Sequence, residues 1–256
     1  MKVVVIGAAG FIGSYLTKRL TEKHQVLPVY RDTFDVFDNQ TVKTILETIK
    51  PDYVINCLSH GGYDLSSNNS EYFSKNMTLF WNFYSNQEHF GKYINIGSGI
   101  EKVVTPNYNN AYAFSKREIS KIIRTNNKFL NFYLYGCFGS HEKDTRLLKR
   151  FLASEEPFVL NNDRLFDYIS IQDFYKFIEH ELDGKLALDT SFTEIDCVYN
   201  NKMLISEFLT MFCDINNIRK NFIIESTSDD DYIGRNPNLH GLHLYGIGHG
   251  LKEYMA

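Results

Sequence analysis

Short apolar runs alternate with longer amphipathic segments through the first 140 residues of this 256-residue chain. The runs are rich in Val, Ile, Tyr and Phe, whereas the segments between them repeat their apolar positions with helical spacing. Strands are predicted over 3–6, 26–29, 53–57, 93–96 and 129–135. Helices are predicted over 10–22, 40–49, 70–87 and 111–126. Strands that alternate with helices pair in parallel through right-handed crossovers, so the pattern predicts an α/β fold with a doubly wound sheet.

The pattern becomes less regular after residue 138. Helices are predicted over 147–152, 171–182 and 205–212, strands over 158–160 and 167–171, and a last helical turn over 248–255. We therefore expect two parts. The first is a domain over 1–140, to which 165–190 returns, and the second is a smaller mixed α/β C-terminal lobe formed by 141–164 and 191–256.

Composition limits the classes of partner. Apolar residues make up 43% of the chain, enough for a large core, and the net charge is −4. No basic excess is present to neutralise phosphates, so we expect no nucleic acid and no membrane as partners. No run approaches the roughly 18 apolar residues of a membrane span, and the run at 3–7 is too short for a signal peptide. We expect a soluble, cytoplasmic protein.

The cysteines and histidines predict no metal site. Cys57, Cys137, Cys197 and Cys213 are far apart and form no Cys-x-x-Cys pair, and the histidines have no ligand spacing. Scattered thiols without pairing are typical of a reducing compartment.

A glycine-rich turn follows the first predicted strand. Gly7, Gly10 and Gly13 form Gly-x-x-Gly-x-x-Gly directly before the first predicted helix. Glycines there let the backbone turn tightly and approach a pyrophosphate, whose charge is favoured by the free N–H groups of the helix N-terminus. The motif predicts a Rossmann-like dinucleotide site, with Phe11 and Ile12 also at the cofactor. The alternative is a glycine-rich turn that holds no ligand.

The end of the second predicted strand bears on which dinucleotide binds. Arg31 precedes Asp32 there. An arginine pairs with the 2′-phosphate of NADP, whereas a carboxylate favours the 2′-hydroxyl of NAD. Because Arg31 comes first, we expect NADP, with NAD as the alternative. An ordinary surface cation is the competing interpretation of Arg31.

A tyrosine and a lysine four residues apart indicate acid–base chemistry. Tyr112 and Lys116 share one face of the helix predicted over 111–126, and a nearby ammonium stabilises phenolate. The chain has 17 Tyr, so this pair alone is weak evidence. Ser98 follows the strand predicted over 93–96, at the edge where doubly wound sheets bind ligands. Its hydroxyl can donate a hydrogen bond to the carbonyl oxygen that Tyr112 protonates.

The glycine turn followed by Ser98, Tyr112 and Lys116 in chain order resembles the extended short-chain dehydrogenase/reductase family, of the NAD-dependent epimerase/dehydratase type. The resemblance covers nearly the whole chain and points to the nucleotide-sugar 4-ketoreductase branch. It implies three further groups of cofactor-binding residues: Asp35 and Val36 against the adenine, Leu58 and Ser59 in the cofactor cleft, and Asn76 shaping the site, beside Tyr112 and Lys116.

The resemblance also implies a nucleotide-diphosphate sugar as substrate. In many relatives an arginine that binds the substrate phosphates directly precedes an aspartate. Phe166 stands at the place of that arginine in this chain. Arg164, two residues earlier on the same strand face, can bind the phosphates in its stead. His60 and Tyr63, after the strand predicted over 53–57, are candidates for substrate contact or for closing a loop. The other candidates are Ser98, Arg150 and Arg235, with Arg146 and Lys149 as further cations.

Two departures from relatives narrow the reaction. Gly99 stands where the dehydratases have an acid, so the elimination lacks its proton donor and a dehydratase is not expected. Ile100 stands where a combined epimerase has a cysteine, so the combined epimerase is not expected either. A reductase takes hydride from NADPH, whereas a 4-epimerase keeps NAD tightly bound and returns the hydride. Because Arg31 favours NADP, we expect reduction of the C4 keto group of a nucleotide-activated 4-keto-6-deoxy sugar, for surface polysaccharide biosynthesis. The alternatives are the 4-epimerase and, from another class, a non-catalytic NADP sensor. Relatives often dimerise through their fourth and fifth helices, which implies a homodimer.

Overall fold

The computed structural model describes residues 1–62, 69–102, 110–155, 157–186, 193–236 and 241–256. The strands in these ranges are β1 (Lys2–Ile6), β2 (Gln25–Val29), β3 (Tyr53–Asn56), β4 (Lys92–Ser98), β5 (Phe129–Leu134), β6 (Gly136–Phe138), β7 (Phe158–Leu160), β8 (Tyr168–Ser170), β9 (Glu194–Asp196) and β10 (Phe222–Ile224). The α-helices are α1 (Phe11–Thr21), α2 (Asn39–Ile49), α3 (Glu71–Tyr84), α4 (Ala111–Ile123), α5 (Leu147–Ala153), α6 (Ile171–Leu182), α7 (Ile205–Asn216) and α8 (Ile247–Glu253). Short 3₁₀ helices lie at Gln87–His89 and Gly99–Glu101.

The chain forms two compact units. The first comprises residues 1–133 and 188–195, and the second comprises 134–187 and 196–256. The division predicted from the sequence, with its boundary at residue 140 and the return of 165–190, stays a prediction.

A six-stranded sheet in the order β2-β1-β3-β4-β5-β9 organises the first unit. β1 pairs in parallel with both β2 and β3, and β3 pairs in parallel with β4. The chain moves from β1 to one side and then returns to β3 on the other, so the strand order reverses between β1 and β3. In doubly wound sheets the ligand binds at the carboxyl ends of the strands at such a reversal.

The helices of the first unit bury one apolar stripe each. Val42 and Leu46 of α2, Leu79, Phe80 and Phe83 of α3, and Ile119 and Ile123 of α4 pack with strand residues into one core. Asp38 caps α2, because its side chain accepts a hydrogen bond from the Thr41 N–H at 2.8 Å. This bond lowers the pKa of Asp38. Aromatic rings, with Phe129 and Tyr93 at the centre, fill the space between sheet and helices.

The second unit contains two pairs of short parallel strands, β6 with β8 and β7 with β10. Its separate core is aromatic: Phe138, Phe151, Phe158, Tyr168, Phe208, Phe212 and Tyr254 pack with leucines of α5, α7 and α8. The ring of Tyr168 stacks on that of Phe208 at 3.8 Å.

The predicted α/β class with a doubly wound, Rossmann-like sheet is confirmed. Every strand and helix predicted above is present, with bounds that shift by a few residues. The three-residue strands β6, β9 and β10 have no counterpart in the prediction, whereas the equally short β7 and β8 do. In the part of the chain that the structure describes, no helix has the length and apolar character to cross a membrane.

Candidate active site

The glycine turn after β1 has no room for side chains at two of its three glycines. A Cβ at Gly13 would lie 2.1 Å from the Gly7 carbonyl oxygen, and one at Gly7 would lie 2.9 Å from the Leu58 nitrogen. Gly7 also has a φ of +76°, a conformation that favours glycine. The turn therefore brings the start of α1 against the end of β1 and places the loop after β3 beside it. Phe11 and Ile12, both half-buried, form the first turn of α1.

The segment after β2 combines exposed and buried residues. Arg31 and Asp35 are exposed and Val36 is buried. The Asp35 carboxylate accepts a hydrogen bond from the Phe37 N–H at 2.8 Å, and the Val36 carbonyl accepts one from the Asn82 amide at 3.0 Å. This part of the predicted adenine site is held by backbone contacts, which leave the Val36 side chain in the core.

His60 lies among these residues. Its ring centroid is 5.5 Å from that of Phe37. Burial lowers the pKa of His60, and the nearby cations of Lys75 and Arg31 lower it further. A neutral imidazole is therefore favoured next to two positive charges that attract an anion.

Asn76 joins the loop after β3 to the helix that carries the tyrosine. Its amide accepts from the His60 N–H at 2.8 Å and donates to the His60 carbonyl at 3.0 Å. The same nitrogen donates to the Ser115 hydroxyl at 2.9 Å, and that hydroxyl donates to the Tyr112 carbonyl at 2.7 Å. Asn76 is buried, so these bonds are not exchanged with water.

Tyr112 lies in the first turn of α4 with its ring against a pair of glycines. A Cβ at Gly62 would lie 2.7 Å from Tyr112 Cζ and 3.0 Å from its hydroxyl oxygen, and Gly61 approaches the same residue. Both glycines have positive φ angles. Asn110 caps α4 by accepting from the Ala113 N–H at 2.9 Å. The phenol is therefore positioned by backbone on one side and by a capped helix on the other.

Lys116 lies one turn after Tyr112 and is 3% exposed. Its Nζ donates to the Ile96 carbonyl of β4 at 2.9 Å. Burial lowers the pKa of Lys116, while the negative charge of Glu101 opposes that effect. The lysine thus ties α4 to the strand that ends at Ser98.

Ser98 ends β4 and is half-buried. Its hydroxyl accepts from the Ile100 N–H at 3.4 Å, and its own N–H donates to Glu101 Oε1 at 2.7 Å. These two bonds form a capping box on the 3₁₀ helix at Gly99–Glu101.

Glu101 did not figure among the residues predicted from the sequence. It is buried, and burial raises its pKa to about 7, against the lowering influence of Lys116. The spacing Ser-x-x-Glu at 98–101 is the signature of a capping box and was the available signal. Asn131, whose amide donates to Glu101 Oε2 at 2.9 Å, had no such signal.

The arginines predicted to bind substrate all lie in the second unit. Arg164 is half-buried and its guanidinium lies 5.6 Å from the Phe166 ring centroid, while Arg150 and Arg235 are exposed. Arg146 donates to the Cys137 carbonyl at 2.8 Å, and Lys149 lies 5.8 Å from the Tyr254 ring centroid. Tyr63 lies outside the described residues.

The residues of the first unit fit a dinucleotide. Gly7 and Gly13 let the backbone of the turn pack closely on itself and on Leu58, and Gly10, where a Cβ would meet only the Gly7 carbonyl oxygen at 3.3 Å, lies at the N-terminus of α1, where a pyrophosphate is favoured. Within the described ranges, the buried atoms Ser59 Oγ and His60 Nε2 have no hydrogen-bond partner, as expected of groups that face a ligand. No group of His, Cys, Asp or Glu in those ranges is arranged to hold a metal ion.

Comparison with known proteins identifies similar chains. The NAD dependent epimerase/dehydratase family matches residues 3–187. A dTDP-4-dehydrorhamnose reductase of Burkholderia thailandensis is 38% identical over 64 residues, which cover 25% of this chain and 22% of that protein.

Solved structures share the fold over the full length. A dTDP-4-dehydrorhamnose reductase of Bacillus anthracis in complex with NADP has a TM-score of 0.81 and 16% identity, over 99% of this chain and 97% of that one. A UDP-glucuronic acid 4-epimerase of Bacillus cereus, in complex with UDP-glucuronic acid and NAD, has a TM-score of 0.78 and 16% identity, over 100% and 98%. The family match confirms the predicted resemblance.

Proposed function

Because this chain belongs to the NAD dependent epimerase/dehydratase family, we propose that it reduces the C4 keto group of a nucleotide-activated 4-keto-6-deoxy sugar with NADPH. One observation carries the proposal. Tyr112 lies against Gly62, and Lys116, one turn later, is bonded to the strand that ends at Ser98. An acid, a cation and a hydroxyl donor would thus act together beyond the carboxyl ends of β3 and β4.

The glycine turn and the start of α1 would hold the pyrophosphate of the cofactor. Leu58, which lies beside Gly7, and Ser59 would line the rest of the cleft, and Asn76 holds the backbone of that loop in place. When bound, NADPH supplies the hydride that reaches C4.

Tyr112 would donate its phenolic proton to the C4 oxygen as the hydride arrives. Ser98 would donate a hydrogen bond to the same oxygen and polarise the carbonyl. The ammonium of Lys116 favours the phenolate that Tyr112 leaves behind, and it would also hold the nicotinamide ribose. The buried position of Lys116 strengthens this interaction, because little water screens the charge.

Arg31 supports NADP as the cofactor. It is exposed, and its charge reaches His60, so a phosphate there would meet a cation beside a neutral imidazole. The similar reductase of Bacillus anthracis is in complex with NADP, whereas the similar epimerase of Bacillus cereus is in complex with NAD. A 4-epimerase with bound NAD is therefore the second candidate.

The diphosphate of the sugar is proposed to bind arginines of the second unit. Arg150 and Arg235 are exposed, and Arg164 is backed by the rings of Phe166 and Tyr232. Guanidinium groups pair with diphosphates through two parallel hydrogen bonds. A homodimer is also proposed, since Trp81 of α3 and Phe114 of α4 are 44% and 49% exposed.

The test incubates the protein with NADPH or NADH and with 4-keto-6-deoxy sugars carried by CDP, GDP, dTDP or UDP. The proposal expects absorbance at the reduced-nicotinamide band to fall with one sugar, and faster with NADPH. Interconversion of C4 epimers without net change in that band would identify the 4-epimerase. Tight NADPH binding without turnover of any sugar would indicate the sensor and overturn the proposal.

A further inference from the structure

A line of four buried polar side chains crosses three strands beneath Ser98. Asn56 of β3 donates to Asn95 of β4 at 3.2 Å, and Asn95 donates to Asn131 of β5 at 2.7 Å. Asn131 donates to Glu101 Oε2 at 2.9 Å. All four residues are at most 8% exposed. Because Asn56 and Asn95 are paired residues of adjacent strands, the line follows the register of the sheet.

Backbone N–H groups close the line at both ends. The Leu58 N–H donates to Asn56 Oδ1 at 3.1 Å, and the Ser98 N–H donates to Glu101 Oε1 at 2.7 Å. Each asparagine accepts on one side and donates on the other, so a line of amides alone has one donor too many. One member must therefore accept on both sides, which a carboxylate does and an amide does not. Glu101 is that member.

We propose that Glu101 is a positioning residue: its ionised carboxylate completes this asparagine line and thereby holds the backbone of Ser98 in the orientation that its hydroxyl needs for the reaction. The inference rests on the proposed function, because Ser98 has a catalytic role only there. The conformation of the loop after β4 would then depend on asparagines in β3, β4 and β5.

The packing around Gly97 supports a fixed geometry. A Cβ at Gly97 would lie 2.6 Å from Asn131 Oδ1 and 2.9 Å from Glu101 Oε1. The line therefore packs directly on the backbone residue that precedes Ser98. Asn131 and Glu101 therefore contact the strand end directly, with no space for a side chain at residue 97.

Charged groups face Glu101 from the helix, the strands and its own loop. Lys116 of α4 favours the ionised form, and Glu194 of β9 disfavours it. The Tyr133 phenol of β5, whose pKa is raised by burial and then by Glu101, donates a hydrogen bond to Glu194. Arg117 donates to the Ile100 carbonyl, and Lys102 lies over the Tyr133 ring. The ionised form of Glu101 is thus favoured by the charge of Lys116 and disfavoured by the charge of Glu194 and by burial.

The test moves the double acceptor one place along the line. Glu101→Gln leaves two N–H groups facing each other, and we expect kcat to fall about 30-fold, as for a lost buried hydrogen bond to a charged group, with NADPH affinity and substrate KM within about twofold. Adding Asn131→Asp to Glu101→Gln restores an acceptor for every donor, and kcat should recover to within about threefold of the wild type. Adding Asn86→Asp instead introduces a buried carboxylate outside the line and should recover nothing.

Thermal unfolding at pH 8 provides a readout that does not depend on turnover. Asn131→Asp should lower the Tm of the wild type, where it places two carboxylates side by side, and raise the Tm of Glu101→Gln. Asn86→Asp should change both by the same amount. If the wild type turns over no nucleotide sugar, the proposed function fails, and this reversal of sign still tests the line. A wild-type kcat in Glu101→Gln, or no rescue by Asn131→Asp in kcat and Tm, would overturn the inference.

Discussion

The glycine turn after β1 and the Ser98 loop after β4 are built in opposite ways. Gly7 and Gly13 work because they lack side chains, since any Cβ would collide with backbone. Ser98 is held by side chains that come from elsewhere, Glu101 directly and Asn131 behind it. One edge of one sheet therefore contains a site that depends on backbone shape and another that depends on buried hydrogen bonds. The glycines of the turn lie within one seven-residue motif, whereas the side chains behind Glu101 come from β3, β4 and β5.

The largest expected effect falls on Tyr112, the proposed proton donor to the oxygen that Ser98 polarises. Tyr112→Phe removes the proton donor but keeps the ring against Gly62, so kcat should fall about 1,000-fold. NADPH affinity, measured by fluorescence titration, should stay within about twofold. Near-normal turnover in this variant would mean that another group supplies the proton.

A substitution in the glycine turn should weaken cofactor binding, the property that Tyr112→Phe leaves unchanged. Gly13→Ala puts a Cβ 2.1 Å from the Gly7 carbonyl oxygen, so the turn must open, and NADPH affinity should weaken about 100-fold. Gly248→Ala is the matched control, because a Cβ there has ordinary contacts beyond 3.5 Å, nearest Ile215 at 3.6 Å. Equal NADPH affinities in the two variants would remove the argument that the turn approaches the pyrophosphate.

A smaller effect tests whether a side chain, that of Arg31, contributes to cofactor binding. Arg31→Ala removes the exposed cation, so NADPH affinity should weaken about tenfold while NADH affinity stays unchanged. Isothermal titration with both cofactors measures the ratio. If both affinities fall together, Arg31 supports the fold of the segment rather than a 2′-phosphate.

The smallest expected effect is a pH dependence with two opposite signs. The pKa of Glu101 is raised from its ordinary 4.5 to about 7, so the folded chain holds this proton over a range in which the unfolded chain has lost it. The contribution of Glu101 to stability should therefore be lost as pH rises from about 5 to about 7, while the ionised carboxylate improves kcat several-fold.

Denaturant unfolding and kcat measured in the same buffers check both signs against Glu101→Gln, which should remove both slopes. Identical pH slopes of stability in the two proteins would show that Glu101 does not titrate in this interval.

Local spacing alone predicts the glycine turn and the pair of Tyr112 and Lys116. Gly-x-x-Gly-x-x-Gly is confined to seven residues, and Tyr112 and Lys116 share a helix face, so periodicity alone relates them. The line from Asn56 to Asn131 needs the strand order and the register, which no short window contains. In single strands these asparagines resemble interruptions of an apolar run. That these asparagines bond one another is evident only when β3, β4 and β5 are known to be neighbours.

The second unit was harder to predict for a related reason. Its strands β6, β7, β8 and β10 have three residues each, and aromatic stacking such as that of Tyr168 on Phe208 replaces long ladders. Arg164 illustrates how far a short strand supports prediction. Period-two alternation places Arg164 on the same face as Phe166, and its guanidinium lies near that ring. Its role toward a substrate stays a prediction.

Gly97 predicts which residues of this loop should vary together among related chains. Its missing side chain leaves the space that Asn131 Oδ1 and Glu101 Oε1 occupy. An alanine there would be tolerated only after the acid and the amide had become smaller or had been lost. The three positions should therefore be inherited as a set. In an alignment of related chains, a larger residue at 97 should coincide with replacements at both 101 and 131, and such chains should hold their serine by other means.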